Sequence, residues 1–177
     1  PDDPEEFSKA SQYFQAEGFK FFIEHFRTEK WRRTGLIWWN LLDGWPEISE
    51  ASVDYYFNKK LSFDYIRRSQ EPLCLMLREP KNGALQIVAA NEYREEKRVT
   101  YTVTDIETGK CLVSGEASLY PNALTELGAI DFDSHGNHYY ALSLACEGKN
   151  YYNHYVSGEI PFSLTQYETL LKKANIL

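Results

Sequence analysis

The run Trp38-Trp39-Asn40-Leu41-Leu42-Asp43-Gly44-Trp45-Pro46 gathers three indoles, an amide and a carboxylate in one short stretch. Indole faces stack on the apolar face of a pyranose ring, so these residue types suit a sugar site. The same three tryptophans would also fill a core, and residue type alone does not separate the two roles. Four carboxylates follow: Asp43, Glu47, Glu50 and Asp54. Glycoside hydrolysis needs two, set about 5–5.5 Å apart for retention or about 6.5–9.5 Å apart for inversion. One strand cannot hold a complete pair against a substrate, so the stretch offers part of a site. Solvated loop acids are the commoner explanation of the same four residues.

Other chemistries fit less well. Asp131-Phe132-Asp133-Ser134-His135-Gly136 resembles the opening of a calcium loop, but its twelfth position is Leu142, where a bidentate Glu is needed. A hairpin turn explains the same residues. His135 and His138 have no Cys or third His spaced to complete a zinc site. There is no Gly-rich phosphate loop and no G-x-S-x-G. No metal and no cofactor is expected. Cys74, Cys111 and Cys146 are widely spaced, odd in number and set in apolar runs, which predicts three buried free thiols.

The elements that must position the tryptophans come next. Leu36 to Leu42 is bounded by Gly35 on one side and by Asp43-Gly44 and Pro46 on the other. It reads as a strand buried on both faces, of the kind found in parallel sheets and barrels, where ligands sit at the C-terminal end. Residues 3–28 read as one helix, with Asp3 as cap, Pro4 in the first turn and Glu6 completing a capping box. Its predicted buried stripe is Phe7, Ala10, Phe14, Phe21 and His25, widened by Phe22, Ile23 and Phe26. Gly18, in mid-helix, predicts a close approach of a neighbour. Glu29-Lys30-Trp31-Arg32-Arg33 reads as a solvated connection rather than a phosphate site. Residues 58–69 form a second helix, with Asn58 as cap, and Glu71-Pro72 marks a domain boundary.

From Leu73 the period changes to two. Leu73–Leu77, Leu85–Ala90, Val99–Ile106, Cys111–Leu119, Leu127–Phe132, Tyr139–Cys146 and Tyr151–Val156 make seven strands. Asn82-Gly83, Thr108-Gly109 and His135-Gly136-Asn137 supply turns between them. Seven short strands in this length predict an immunoglobulin-like β-sandwich. A final helix follows, with Ser163 and Gln166 as a capping box and Phe162 with Tyr167 as a hydrophobic staple. Its buried stripe is Leu164, Tyr167, Leu170, Leu171 and Ala174.

With 177 residues, 43% of them apolar, the chain can bury a real core. Its net charge of −7 argues against nucleic acid and against anionic membrane surfaces as partners. It starts at Pro1, with neither a signal peptide nor an apolar run near the ~20 residues that cross a bilayer. That start reads as a mature, trimmed or partial chain.

The run Gly35 to Pro46 resembles the last barrel strand of glycoside hydrolase family 2, in particular its β-mannosidase-like branch. The flanks agree: Gln15-Ala16-Glu17-Gly18, Ile23-Glu24-His25-Phe26, Val53-Asp54-Tyr55-Tyr56 and Lys59-Lys60. So do Asn153-His154-Tyr155 and Pro161-Phe162-Ser163-Leu164. The resemblance implies an α+β fold in which residues 1–70 are the last helix-strand-helix portion of a (β/α)8 barrel. Residues 71–177 would be an immunoglobulin-like antiparallel sandwich with a C-terminal helix. A whole barrel takes ~250 residues, so most of it would precede Pro1, together with both catalytic glutamates.

What the resemblance then implies is a β-glycosidase, β-mannosidase- or β-galactosidase-like, that hydrolyses β-linked glycosides with retention and works outside the cytoplasm. Trp39 would wall the subsite of the reacting sugar, Asp43 and Trp45 would shape its rim, and Asn40 would face a hydroxyl. Asn40 stands where an amide one methylene longer is usual, and Leu42 where Asn is usual. The chain alone would be inactive, and it would self-associate through surfaces meant for the missing barrel. A different class is also compatible with the residues: a self-contained carbohydrate-binding or protein-interaction module without catalysis.

Overall fold

The computed structural model describes residues 3–158 and 163–177, and the chain divides into two compact units, Pro1–Gln70 and Glu71–Leu177. The expected staple partner Phe162 and the Pro161-Phe162 pair lie outside the described residues.

The first unit holds two helices. Helix α1 (Pro4–Arg27) starts where the Asp3 carboxylate accepts the Glu5 N–H at 3.1 Å, with Glu5 and Glu6 at the positive end of the dipole. Helix α2 (Leu61–Ser69) starts one turn later than expected. Its cap is Lys60 in an extended conformation, not Asn58, whose side chain is engaged with Asp54. The helices meet through a buried polar cluster. Lys20 Nζ lies 2.8 Å from Glu24 Oε2, and both side chains are buried. Ser69 Oγ donates to Glu24 Oε1 at 3.3 Å, and Arg27 donates to the Ser69 carbonyl at the end of α2. These bonds satisfy a buried carboxylate and one of the carbonyls that a helix end leaves open.

Two expectations for α1 are corrected here. The face it buries carries Ala16, Lys20, Ile23 and Glu24, whereas Phe7, Phe14, Phe21 and Phe22 are exposed, Phe14 by 81%. Periodicity identifies the apolar face of a helix but not whether a partner is present to cover it. A Cβ built at Gly18 meets nothing within 4 Å, so no close approach accounts for that glycine.

The expected strand at Leu36–Leu42 is also corrected. No ladder forms there; the segment is irregular, bends at Trp39 and Leu41, and makes one isolated parallel bridge, Leu42 to Val53. A strand exists by its hydrogen-bonding neighbours, and a barrel strand needs one on each side. Among the described residues of this unit the pairing comes from Ser52 and Val53, too short a run to make a ladder. The run is not buried on both faces either: Ile37, Trp39, Leu41 and Leu42 are exposed.

The second unit is the expected sandwich. One sheet has the order β1-β2-β5, from β1 (Leu73–Leu77), β2 (Ala84–Asn91) and β5 (Ala123–Asp131). The other has the order β4-β3-β6-β7, from β3 (Lys97–Asp105), β4 (Cys111–Leu119), β6 (His138–Cys146) and β7 (Lys149–Ser157). All neighbours are antiparallel. Alternate residues point inward, as a period of two requires: Leu73, Leu75 and Leu77 from β1, Leu85, Ile87 and Ala89 from β2, Val99, Tyr101 and Val103 from β3, and Leu142 and Leu144 from β6.

Asn82-Gly83 makes the β1–β2 turn with both residues at positive φ, as a tight hairpin demands. The β2–β5 register slips at Ile87/Val88, which leaves Leu127 extra in β5, and its carbonyl accepts the Tyr101 hydroxyl at 3.2 Å from the opposite sheet. Gly115, paired with Tyr101, makes room for that ring, because an added Cβ would lie 3.0 Å from the hydroxyl.

Helix α3 (Leu164–Lys173) opens on Ser163, whose Oγ accepts the Gln166 N–H at 3.3 Å. It buries Tyr167, Leu170 and Leu171 and sets Tyr167 edge-on to Tyr139 of β6. Lys173 Nζ donates to the Ile106 carbonyl at 2.8 Å. All three cysteines are free, but Cys111 is exposed at the start of β4, so the expectation of a third buried thiol is corrected.

Candidate functional site

The site builds from residues 38–60 of the first unit. Trp38 is half-buried, its ring edge-on to Phe19 of α1 at 5.6 Å. The Trp39–Asn40 peptide is cis. Trp39 is 72% exposed and Trp45 66%, so neither indole is core. Short backbone pairings hold the segment between them. The Asn40 carbonyl accepts Ser52 N–H at 3.1 Å, the Leu41 carbonyl accepts Val53 N–H at 2.8 Å, and Asp43 N–H donates to the Val53 carbonyl at 3.0 Å. The Ser52 carbonyl in turn accepts Lys60 N–H at 2.9 Å.

Asp43 is the buried member, 3% exposed. Ser49 Oγ donates to its Oδ1, and Lys60 Nζ lies 3.1 Å from its Oδ2. The Ser49 hydrogen bond, helped by Lys60, holds the Asp43 carboxyl below the usual range against the opposing effect of burial. Lys60 Nζ also donates to the Ser49 carbonyl at 3.1 Å, and Ser49 Oγ accepts Ala51 N–H at 3.1 Å. Gly44, Trp45, Pro46, Glu47 and Ile48 project from this base and are all exposed. Asn40 contributes its backbone to the pairing, while its Oδ1 is buried without a hydrogen-bond partner among the described residues.

The other carboxylates serve different ends. Asp54 takes the Asn58 N–H at 2.8 Å and the Asn58 amide at 2.9 Å, and these bonds lower its pKa. Glu47 and Glu50 are exposed. With both oxygens of Asp43 and of Asp54 engaged in fixing turns, this segment presents no acid and base poised across a substrate. Among the described residues no group of three or more His, Cys, Asp or Glu side chains could hold a metal ion. No described helix is long and apolar enough to cross a membrane.

The structure thus brings Asn40 and Asp43 into one hydrogen-bonded segment flanked by two exposed indoles. Sequence reasoning missed Ser49 and Lys60 as the partners of Asp43. Contacts across six and seventeen positions of irregular chain leave no period to read.

No family model matches the chain. Among curated proteins it is similar to β-mannosidase B of Aspergillus clavatus, 28% identical in an alignment 122 positions long that covers 57% of this chain and 14% of that protein. β-Mannosidase B of Aspergillus terreus is 27% identical in an alignment 137 positions long that covers 65% of this chain and 16% of that protein. Among solved structures, the β-D-mannosidase of Dictyoglomus thermophilum superposes with a TM-score of 0.74 at 24% identity, over 89% of this chain and 20% of that one. In sequence and in fold the chain is similar to a part of these β-mannosidases. An exo-chitosanase of Amycolatopsis orientalis shares the fold more distantly, with a TM-score of 0.64 at 18% identity over 88% of this chain. The chain spans only 14% to 16% of the curated relatives it matches.

Proposed function

We propose that this chain is the C-terminal part of a retaining β-glycosidase, and that residues 1–70 close the catalytic barrel while residues 71–177 form the sandwich that follows it in sequence. In this reading Trp39 walls the subsite of the reacting sugar, Trp45 forms its rim on the loop that Asp43 anchors, and Asn40 holds the segment through its backbone. The acid/base and the nucleophile are glutamates on strands of the missing portion. The observation that carries the reading is the pair of solvent-facing indoles, Trp39 and Trp45, on either side of a buried aspartate. Exposed apolar side chains on fixed backbone are what a sugar face stacks against. Likeness to β-mannosidases by sequence and by fold supports it.

The exposed Phe7, Phe14, Phe21 and Phe22 of α1 support a place under other barrel elements in the longer protein. The test is Trp39→Ala in that longer protein, assayed on an aryl β-mannoside. The expected loss in kcat/KM is roughly thirtyfold, the ~2 kcal/mol of a well-formed aromatic contact, with little change in Tm. Equal losses in stability and turnover would make Trp39 structural.

The sandwich has a core of its own, which favours a second reading as a carbohydrate-binding module without catalysis. Sugar titration separates the two: a module binds as the isolated, monomeric chain, whereas a barrel portion self-associates and binds sugar only within the longer protein.

A further inference from the structure

Three bonds close the base of the 43–49 loop: Ser49 Oγ to Asp43 Oδ1, Lys60 Nζ to Asp43 Oδ2, and Lys60 Nζ to the Ser49 carbonyl. Lys60 therefore grips both ends of a loop whose whole tip, Gly44 to Ile48, faces solvent. Its own placement is over-determined. It caps α2, its N–H donates to the Ser52 carbonyl at 2.9 Å, and its carbonyl accepts Phe63 N–H at 3.0 Å. The ammonium end is only 19% exposed and the carboxylate it meets 1%, so the pair is shielded in a way surface ion pairs are not. An apolar tip with Trp45 in it gains nothing from standing in water, and nothing in the tip itself holds the indole out. The rigid element is the polar base.

We propose that Lys60 is a positioning residue: acting through Asp43 and Ser49, it fixes the loop that presents Trp45 to the sugar. This rests on the glycosidase reading of the same segment. It adds a residue that touches no substrate and sets where the indole stands before substrate arrives, so that ordering the loop is not charged against binding. Arginine in place of Lys60 keeps the cation and reaches two acceptors, whereas methionine keeps the stem and loses both bonds.

Two measurements test the clamp separately from the glycosidase reading. In the 177-residue chain, exchange of the hydrogen-bonded amides at the base of the loop, Asp43, Ser52 and Val53, is expected to quicken about tenfold or more in Lys60→Met and in Ser49→Ala, with exchange in α1 unchanged. Lys60→Arg is expected to restore most of the protection. Unchanged exchange at these amides in both variants, or acceleration spread equally over α1, overturns the clamp whatever the enzyme does. In the longer protein, assayed on an aryl β-mannoside, Lys60→Met is expected to raise KM about tenfold, with a smaller change in kcat, and Lys60→Arg to return KM to within about threefold. A wild-type KM in Lys60→Met overturns the positioning role. Absence of β-glycosidase activity in the unmutated longer protein overturns the glycosidase reading, and with it the sugar as the object positioned, while the exchange result still decides the clamp.

Discussion

At the scale of single residues, the site is a division of labour between exposed indoles and a buried carboxylate. Asp43 is too fully engaged to act as an acid or base, since Ser49 and Lys60 occupy both its oxygens. Its pH behaviour follows from that. A carboxyl whose pKa is lowered in the folded state contributes stability above the unfolded value of about 3.9, and the contribution is lost as pH falls through the lower folded value. The Asp43 carboxyl carbon shift is therefore expected to titrate with a midpoint below about 3.9, and the loop to loosen only in more acid solution. A midpoint at or above that value would mean the Ser49 and Lys60 bonds are not formed.

Of this site, the sequence showed the residue types but not their connections. Trp39, Asn40, Asp43 and Trp45 stand out because tryptophan pairs and Asp-Gly turns are conspicuous. Ser49 and Lys60 do not, because only tertiary folding of irregular chain brings them to Asp43.

At the scale of elements, what was legible is what depends on local chemistry. The seven strands follow from a period of two and from turn residues such as Asn82-Gly83, whose positive φ values few other pairs tolerate. Helices α1 and α3 follow from their caps, Asp3 and Ser163, whereas α2 starts on Lys60 without a side-chain cap. The misread parts all needed a partner that local pattern does not contain. The phenylalanine stripe of α1 is apolar but uncovered, and Leu36–Leu42 has the composition of a central strand without the ladder.

Two mutations probe the elements themselves. Leu142→Ala removes a fully buried side chain from the inner face of β6 and is expected to destabilise the sandwich by about 2–5 kcal/mol in denaturant unfolding. Lys20→Met takes the ammonium away from the buried Glu24 carboxylate and is expected to cost the first unit roughly 3–5 kcal/mol. Adding Glu24→Leu to Lys20→Met is expected to recover much of that loss, because the buried carboxylate leaves with its cation.

At the scale of the whole molecule, the two units differ in how complete they are. The sandwich buries its inner faces in one continuous core. The first unit leaves Phe7, Phe14, Ile37, Trp39, Trp45 and Ile48 in solvent. The proposed role, closing a larger enzyme and lending a sugar wall to carboxylates held elsewhere, would account for such surfaces on a chain that spans 14% to 16% of the β-mannosidases it is similar to.

Turnover of an aryl β-mannoside, measured side by side for the purified 177-residue chain and for the longer protein that contains it, tests that claim most directly. The account predicts hydrolysis by the longer protein and none above the uncatalysed rate by the chain alone. Hydrolysis by the isolated chain, abolished by mutating one of its own carboxylates, would contradict it.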